Sequence, residues 1–421
     1  MRRYAKFIKW FYPGLRIKRW VILLSLGIIL IFISSFYISY SSFILWKTFY
    51  VVLFSLGVFF FITGTTLLIH SFFKAIVPYQ NKELIDIIYE KRYLSRGPKV
   101  VAIGGGTGLS TILEGLKEFT SNITAIVTVA DEGGSSGRLR EEFGILPPGD
   151  IRNCLVALAE APQLMRDLFQ YRFREGDGIK GHSFGNLLIT ALADVTGSFQ
   201  GAVEESSKVL AIRGKVLPAS LEKVRLKAEY IDGSTKEGED KIPKEEKPIK
   251  RIFLIPPHVK AFPQTIEAIK EADIIILGPG SLFTSILPNL LIEDIKKSIC
   301  QRKDILKIYI CNVMTQHGET DNFTAFDHIE TIISHTGEGI MNVCLVNCGR
   351  LSQELLIKYA QEKSFPVVSD IRRIKEKGIL VIEKDIISHH DYLRHDPYKT
   401  ARCIIELYNG YRRGWKEWKK R

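Results

Sequence analysis

KVVAIGGGTGLST, residues 99–111, decides how this chain is read. An apolar, β-branched run ends abruptly in glycines, and a segment with helical spacing (107–119) starts at once. Glycine opens positive φ and removes the side chain, so backbone N–H groups can face a ligand. The helix start presents its own unpaired N–H groups to the same place. Strand, glycine turn and helix N-terminus together form a phosphate cradle, built here from Gly104, Gly105, Gly106, Thr107 and Gly108. The expectation is a nucleotide-binding chain.

The pattern recurs. ITAIVTVADEGGSSGRLR (123–140) is a second apolar run that ends in glycines, and GILPPGDIRNCL (144–155) and GHSFGNLL (181–188) follow it. LGPGSLFTS (277–285) and CNVMTQHGET (311–320) close two later apolar runs. Ligands of open α/β sheets bind at the carboxyl ends of strands, where all four strand-end loops fall. A P-loop is excluded, because no Gly-Lys-Ser or Gly-Lys-Thr occurs. Gly104 and Gly106 match the first glycines of the dinucleotide fingerprint, but Leu109 stands at the third. Asp131, just after the second strand, stands where a ribose hydroxyl would be held.

The candidate binding groups follow from these loops. Asp131, Glu132, Gly133, Gly134, Ser135, Ser136 and Arg138 come from the second. Asp150 and Asn153 come from the third, and His182, Ser183 and Asn186 from the fourth. Gly278, Gly280, Ser281 and Thr284 could hold a second phosphate or a ribose. Asn312, Thr315 and Gln316 suit a base or sugar. Ser281 and Asp150 each have an alternative reading as helix N-caps. Arg138 and Arg140 either neutralise phosphate or are solvated. A Mg²⁺ ion riding with a bound nucleotide is the one cofactor these acids suggest. HHDYLRHD (389–396) fits no standard metal spacing and reads as a polar loop, so no metal site is expected.

Composition divides the chain. Residues 1–99 carry 14 Lys/Arg against Glu83, Asp86 and Glu90, so nearly all of the net +12 lies there. That argues against a nucleic-acid-binding body. Residues 20–46 contain no charge, and residues 48–73 only the titratable His70. Each exceeds the ~20 residues a membrane-crossing helix needs. Basic residues flank both outer ends, which predicts two spans with both termini and the following domain in the cytoplasm. The expected organisation is a basic transmembrane hairpin (1–73), a juxtamembrane helix (74–98), a nucleotide-binding domain (99–408) and a basic tail (409–421). The strands expected at 100–103, 123–129, 251–255, 273–277, 307–311, 342–346 and 378–382 alternate with helices, as in a doubly covered parallel sheet. A helical insertion is expected at 150–212. A β-hairpin is expected at 222–255, its charged tip DGSTKEGEDKIPKEEKPIK (232–250) a solvated loop. The six cysteines sit singly in apolar runs and read as reduced thiols. The fold class is therefore α/β: a Rossmann-like, mostly parallel sheet with a helical subdomain, preceded by the hairpin.

Together VVAIGGGTGLSTIL, VTVADEGGSSGRLR, GILPPGDIRNCLVALA, GHSFGNLL, LGPGSLFTSILPNLL, CNVMTQHGET and RHDP resemble the bacterial gluconeogenesis factor family. That family lies within the 2-phospho-L-lactate transferase (CofD)-like superfamily. The resemblance implies a nucleotide-sugar ligand, UDP-N-acetylglucosamine above all, and a role in cell shape and wall homeostasis during growth on gluconeogenic carbon sources. It attaches no reaction to the family. Transferase relatives use Asp residues at places similar to Asp131 and Asp150, which makes these the candidate catalytic residues if a phospho-group is transferred. A dinucleotide (NAD-type) sensor is the third reading. Glu132 and His317 differ from the Asp or Asn and the Pro that the family pattern leads one to expect. The expected partners are a UDP-sugar, membrane lipid and a second copy of the chain.

Overall fold

The computed structural model describes residues 17–40, 43–76, 92–388 and 394–418. Most of the juxtamembrane segment and residues 389–393 of the histidine-rich loop lie outside them. The chain divides into two units, residues 1–87 and 88–421.

In the first unit, α1 (Ile17–Tyr40) and α2 (Ile44–Ile76) form an antiparallel hairpin. Glycines set its packing: a Cβ on Gly57 would lie 2.9 Å from the Ile31 amide nitrogen, and one on Gly64 2.8 Å from that of Leu24. Small residues that let two backbones approach are the usual glue between apolar helices in lipid. Ser34 and Thr63 return their hydroxyls to carbonyls of their own helix. Phe32, Ile44, Leu45 and Phe59 are exposed. Both helices are long and apolar enough to cross a membrane.

The second unit starts from β1 (Val100–Gly104), every residue of which is buried. It feeds α3 (Gly106–Leu116) and β2 (Ile123–Val127). The helical insertion is α4 (Gly134–Phe143), α5 (Gly149–Leu158), α6 (Gln163–Gln170), α7 (Phe184–Thr196) and α8 (Phe199–Val209). Next come β3 (Lys215–Pro218), β4 (Arg225–Tyr230), β5 (Thr235–Glu237) and β6 (Ile249–Ile255). Then α9 (Pro263–Glu271) leads to β7 (Ile274–Leu277), a π-helical turn (Leu282–Ile286), α10 (Leu287–Leu290) and α11 (Glu293–Gln301). The chain closes with β8 (Leu306–Ile310), α12 (Ala325–Thr336), β9 (Val343–Asn347), α13 (Gln353–Gln361), α14 (Ile371–Glu376), β10 (Leu380–Lys384) and α15 (Pro397–Trp418).

Seven strands form one sheet in the order β10-β9-β8-β7-β1-β2-β3, and every pairing is parallel. The chain builds outward from β1 to β3, then returns to lay β7 on the other side of β1. The strand order therefore reverses between β1 and β7, the place where open α/β sheets bind ligands. Apolar side chains cover both sheet faces. On one face α3 buries Leu109, Ile112, Leu113 and Leu116. Gly115 lets α15 lie directly on α3, because a Cβ there would overlap the Pro397 carbonyl.

Three expectations need correction. β3 was not anticipated: KVLP is short and ends in a proline. The 222–255 segment is a three-stranded antiparallel sheet, β5-β4-β6, and not a two-stranded hairpin. The 251–255 strand therefore belongs to this small sheet and not to the parallel one. The boundary expected at 408/409 falls inside α15, which buries Leu407 and Tyr408 and continues to Trp418.

Candidate functional site

Two glycine loops meet backbone to backbone at the reversal point. A Cβ on Gly108 would strike the Pro279 carbonyl, and one on Gly280 would sit 3.3 Å from the Gly105 oxygen. Gly106 has φ +63°, and its missing Cβ would meet only Ser285 Oγ, at 3.8 Å. The Asn312 side chain brackets the Gly280 peptide: its Nδ2 donates to the Gly280 oxygen (2.9 Å), and its Oδ1 accepts the Gly280 N–H (3.2 Å). Asn312, expected to read a base or sugar, fixes the second loop.

A cleft of about 360 Å³ opens at these loops. Gly105, Gly106, Thr107, Gly108, Gly280, Ser281, Asn312, Thr315 and Gln316, all expected from the sequence, line it. Thr111, Ser285, Tyr359, Ser364, Arg394 and His395 complete the wall and were not anticipated as site residues. The RHDP motif was the only signal for the last pair. Ser281 does cap the π-helical turn, accepting the Thr284 N–H at 3.1 Å. Its hydroxyl also donates to Glu319. Burial pushes the Glu319 carboxyl up to about 7, against hydrogen bonds from Ser281, Phe283 N–H and Thr284. Thr315 is tied to the Phe365 backbone.

No residue of the ADEGGSSG loop lines this cleft. Asp131 accepts the Gly133 N–H (2.9 Å) in a tight turn. Asp150 does not cap its own helix; Pro148 holds that position. Its carboxylate instead accepts the Gly106 N–H, and a Cβ on Gly105 would lie 2.5 Å from its Oδ2. Burial and the Asp131 charge push the Asp150 carboxyl up to about 7.

The charged tip of the small sheet is not a solvated loop. Residues 238–246 form a strap across the loops that hold Asp131 and Glu319. The Glu239 N–H donates to Glu132 Oε2 (3.2 Å), and the Glu132 N–H donates to the Glu239 carboxylate. Glu132 is itself held by Arg225 (3.0 Å) and Arg140 (3.8 Å). Gly318 lies against the Pro243 backbone. His317 Nε2 lies 3.3 Å from Glu246 and its Nδ1 2.9 Å from Asp321; the two acids raise its pKa. The two positions that depart from the family pattern, Glu132 and His317, thus both meet the strap. Burial, then Asp131 and Glu319, push the Glu239 carboxyl up to about 8.

GHSFGN works from within. Arg152, buried in α5, donates to Ser183, to Asn186 Oδ1 (3.0 Å) and to Asn153 Oδ1 (2.7 Å). Ser135 Oγ meets His182 Nδ1 (2.9 Å) and Asn186 Nδ2 (3.0 Å). Ser136 Oγ accepts the Gly149 N–H at 3.1 Å. The network pins α4, α5 and α7 behind the acids. Arg138 reaches the Lys180 carbonyl and Arg140 that of Val224. Among the described residues, no three His, Cys, Asp or Glu side chains converge to hold a metal ion.

The model of the family described as 2-phospho-L-lactate transferase CofD matches residues 100–387. The chain belongs to the gluconeogenesis factor family within that group. It is 49% identical to the gluconeogenesis factor of Bacillus subtilis over 75% of this chain and 99% of that one. A Nostoc sp. relative, provisionally given the same name, is 46% identical over 98% of this chain and 95% of its own length. A Bacillus halodurans crystal structure, BH3568, superposes with TM-score 0.72 at 50% identity, covering 74% of this chain and 100% of that one. The Bacillus chains are thus accounted for almost entirely by about three quarters of this one.

Proposed function

We propose that this chain is a nucleotide-sugar-binding regulatory protein of the gluconeogenesis factor type, held at the cell membrane by its hairpin and acting in cell shape and wall homeostasis. UDP-N-acetylglucosamine is the favoured ligand. One observation carries the reading: a 360 Å³ cleft lies where the strand order reverses, floored by a helix N-terminus and a second glycine loop. Glycine-built amides and a positive helix end suit a diphosphate, and the hydroxyl and amide walls suit a sugar. The NAD-type reading is weaker, because Glu239 and the strap crowd Asp131, where a dinucleotide ribose would sit. Calorimetry of the full chain in detergent against UDP-N-acetylglucosamine, NAD and GTP tests the proposal. Binding of NAD alone would overturn it.

The carboxylates Asp131, Asp150, Glu239 and Glu319 favour a second reading, transfer of a phospho-group with Mg²⁺ carried between phosphate oxygens and one carboxylate. Wild-type protein incubated with UDP-N-acetylglucosamine and Mg²⁺ is expected to leave it intact by mass spectrometry. Asp131→Asn is expected to bind it ten- to 150-fold more weakly, about 1.5–3 kcal/mol. Turnover by wild type that disappears in Asp131→Asn would favour the transferase.

A further inference from the structure

His395 is held rigidly at the wall of the cleft. Its backbone bridges to Ile387, and the next residue, Asp396, accepts the Lys399 N–H (2.7 Å) at the start of α15. Its side chain is 7% exposed, and neither ring nitrogen has a hydrogen-bond partner among the described residues. Gln316, across the same cleft lining, carries a second such atom: its Oε1 is buried and unpartnered. Buried polar groups without partners are rare and costly, so two in one cleft mark a place for a partner that the chain does not supply.

We infer that His395 and Gln316 form an uncharged recognition subsite that receives an amide-type edge of the ligand, an N–H beside a C=O, while the glycine loops take its phosphates. This rests on the nucleotide-sugar reading of the cleft. The chemistry of the groups fits. Gln316 Oε1 can only accept, so it calls for a ligand N–H. A neutral imidazole offers one donor and one acceptor. Burial pushes the His395 ring down to about 4, and the Cys311 carbonyl offsets this only in part, so the ring carries no charge at neutral pH. A neutral ring is poorly suited to phosphate, which the loop amides already serve. Two parts of a UDP-N-acetylglucosamine present an N–H beside a C=O: the imide edge of the base and the acetamido group of the sugar.

The test is calorimetric titration of the full chain in detergent with UDP-N-acetylglucosamine, UDP-glucose, UDP and uridine. His395→Phe and Gln316→Met remove the polar atoms at similar volume, and His395→Asn restores a donor and an acceptor. The inference expects both apolar variants to bind UDP-N-acetylglucosamine at least tenfold more weakly, at wild-type melting temperature, with part of the loss recovered in His395→Asn. Equal loss on UDP and UDP-glucose assigns the subsite to the base, and loss confined to the N-acetyl ligand assigns it to the acetamido group. Wild-type binding that both folded apolar variants retain within threefold overturns this inference alone. Failure of wild type to bind any of the probes overturns it together with the nucleotide-sugar reading.

Discussion

Glu132 and Glu239 hold one another through reciprocal hydrogen bonds, each residue's backbone N–H reaching the other's carboxylate. The clasp joins residues 107 positions apart and seats the strap beside Asp131. It works because Arg140 and Arg225 neutralise Glu132, while Glu239 shares its surroundings with two further acids.

Removing the clasp has a stated outcome. Glu132→Ala leaves the half-buried Arg140 without its carboxylate and the Glu239 N–H without its acceptor. The expected loss is about 2–4 kcal/mol of stability. Amides of residues 238–246 should also exchange faster with deuterium, while those of β1 and β7 stay protected. Unchanged exchange in the strap would show that Glu132 does not hold it.

The raised carboxyls give stability a pH slope. Asp150, Glu239 and Glu319 are pushed up to about 7, about 8 and about 7. An unfolded carboxyl titrates near ~4, so in this window the folded state binds more protons. Stability from these groups is full below about pH 4 and falls as pH rises toward about 8. Glu239→Gln, which cannot ionise, should flatten the fall and gain ~1–3 kcal/mol over wild type near the upper end of the window. Scanning calorimetry at intervals across that range measures both. A wild-type slope that Glu239→Gln leaves unaltered would contradict the assignment.

Two glycines should separate binding from packing. Gly106→Ala places a methyl in open cleft at positive φ, costing ~1–2 kcal/mol of strain. It should weaken UDP-N-acetylglucosamine binding at least about tenfold, roughly 1.4 kcal/mol or more, by obstructing the phosphate's approach. Gly108→Ala forces the two loops apart, and should cost ~1–3 kcal/mol in denaturant titrations. Full affinity in folded Gly106→Ala would reduce the loop to a turn.

The hairpin makes a cellular prediction. The full chain should stay with membranes under alkaline carbonate, and a chain starting at residue 92 should not. A single added cysteine after Arg421 should resist membrane-impermeant labelling of intact cells. Labelling there would reverse the predicted orientation.

How much of this was legible in sequence depended on range. β1, β7 and the glycine loops declare themselves locally, because an apolar run and the glycines that end it are adjacent. The GGGTG and GPGS loops, with Thr315 and Gln316, line the cleft as expected. Glu239 was illegible: a lone acid in a charged stretch reads as solvated until the chain brings Glu132 to it. Asn312 has the chemistry of a ligand group, and only tertiary structure reveals that the Gly280 peptide uses both its ends. Arg152 looked like an ordinary helix residue, because its partners Ser183 and Asn186 lie a helix and a loop away.

The Gly115–Pro397 contact carries one more consequence. It locks the helix whose start forms the cradle to the helix that begins just after His395. A ligand gripping the cradle and His395 at once would therefore pull on a single stiff lever, whose far arm is the basic C-terminal end of α15. Occupancy of the cleft could be reported at the end of the chain by tilt alone, with no rearrangement of the sheet.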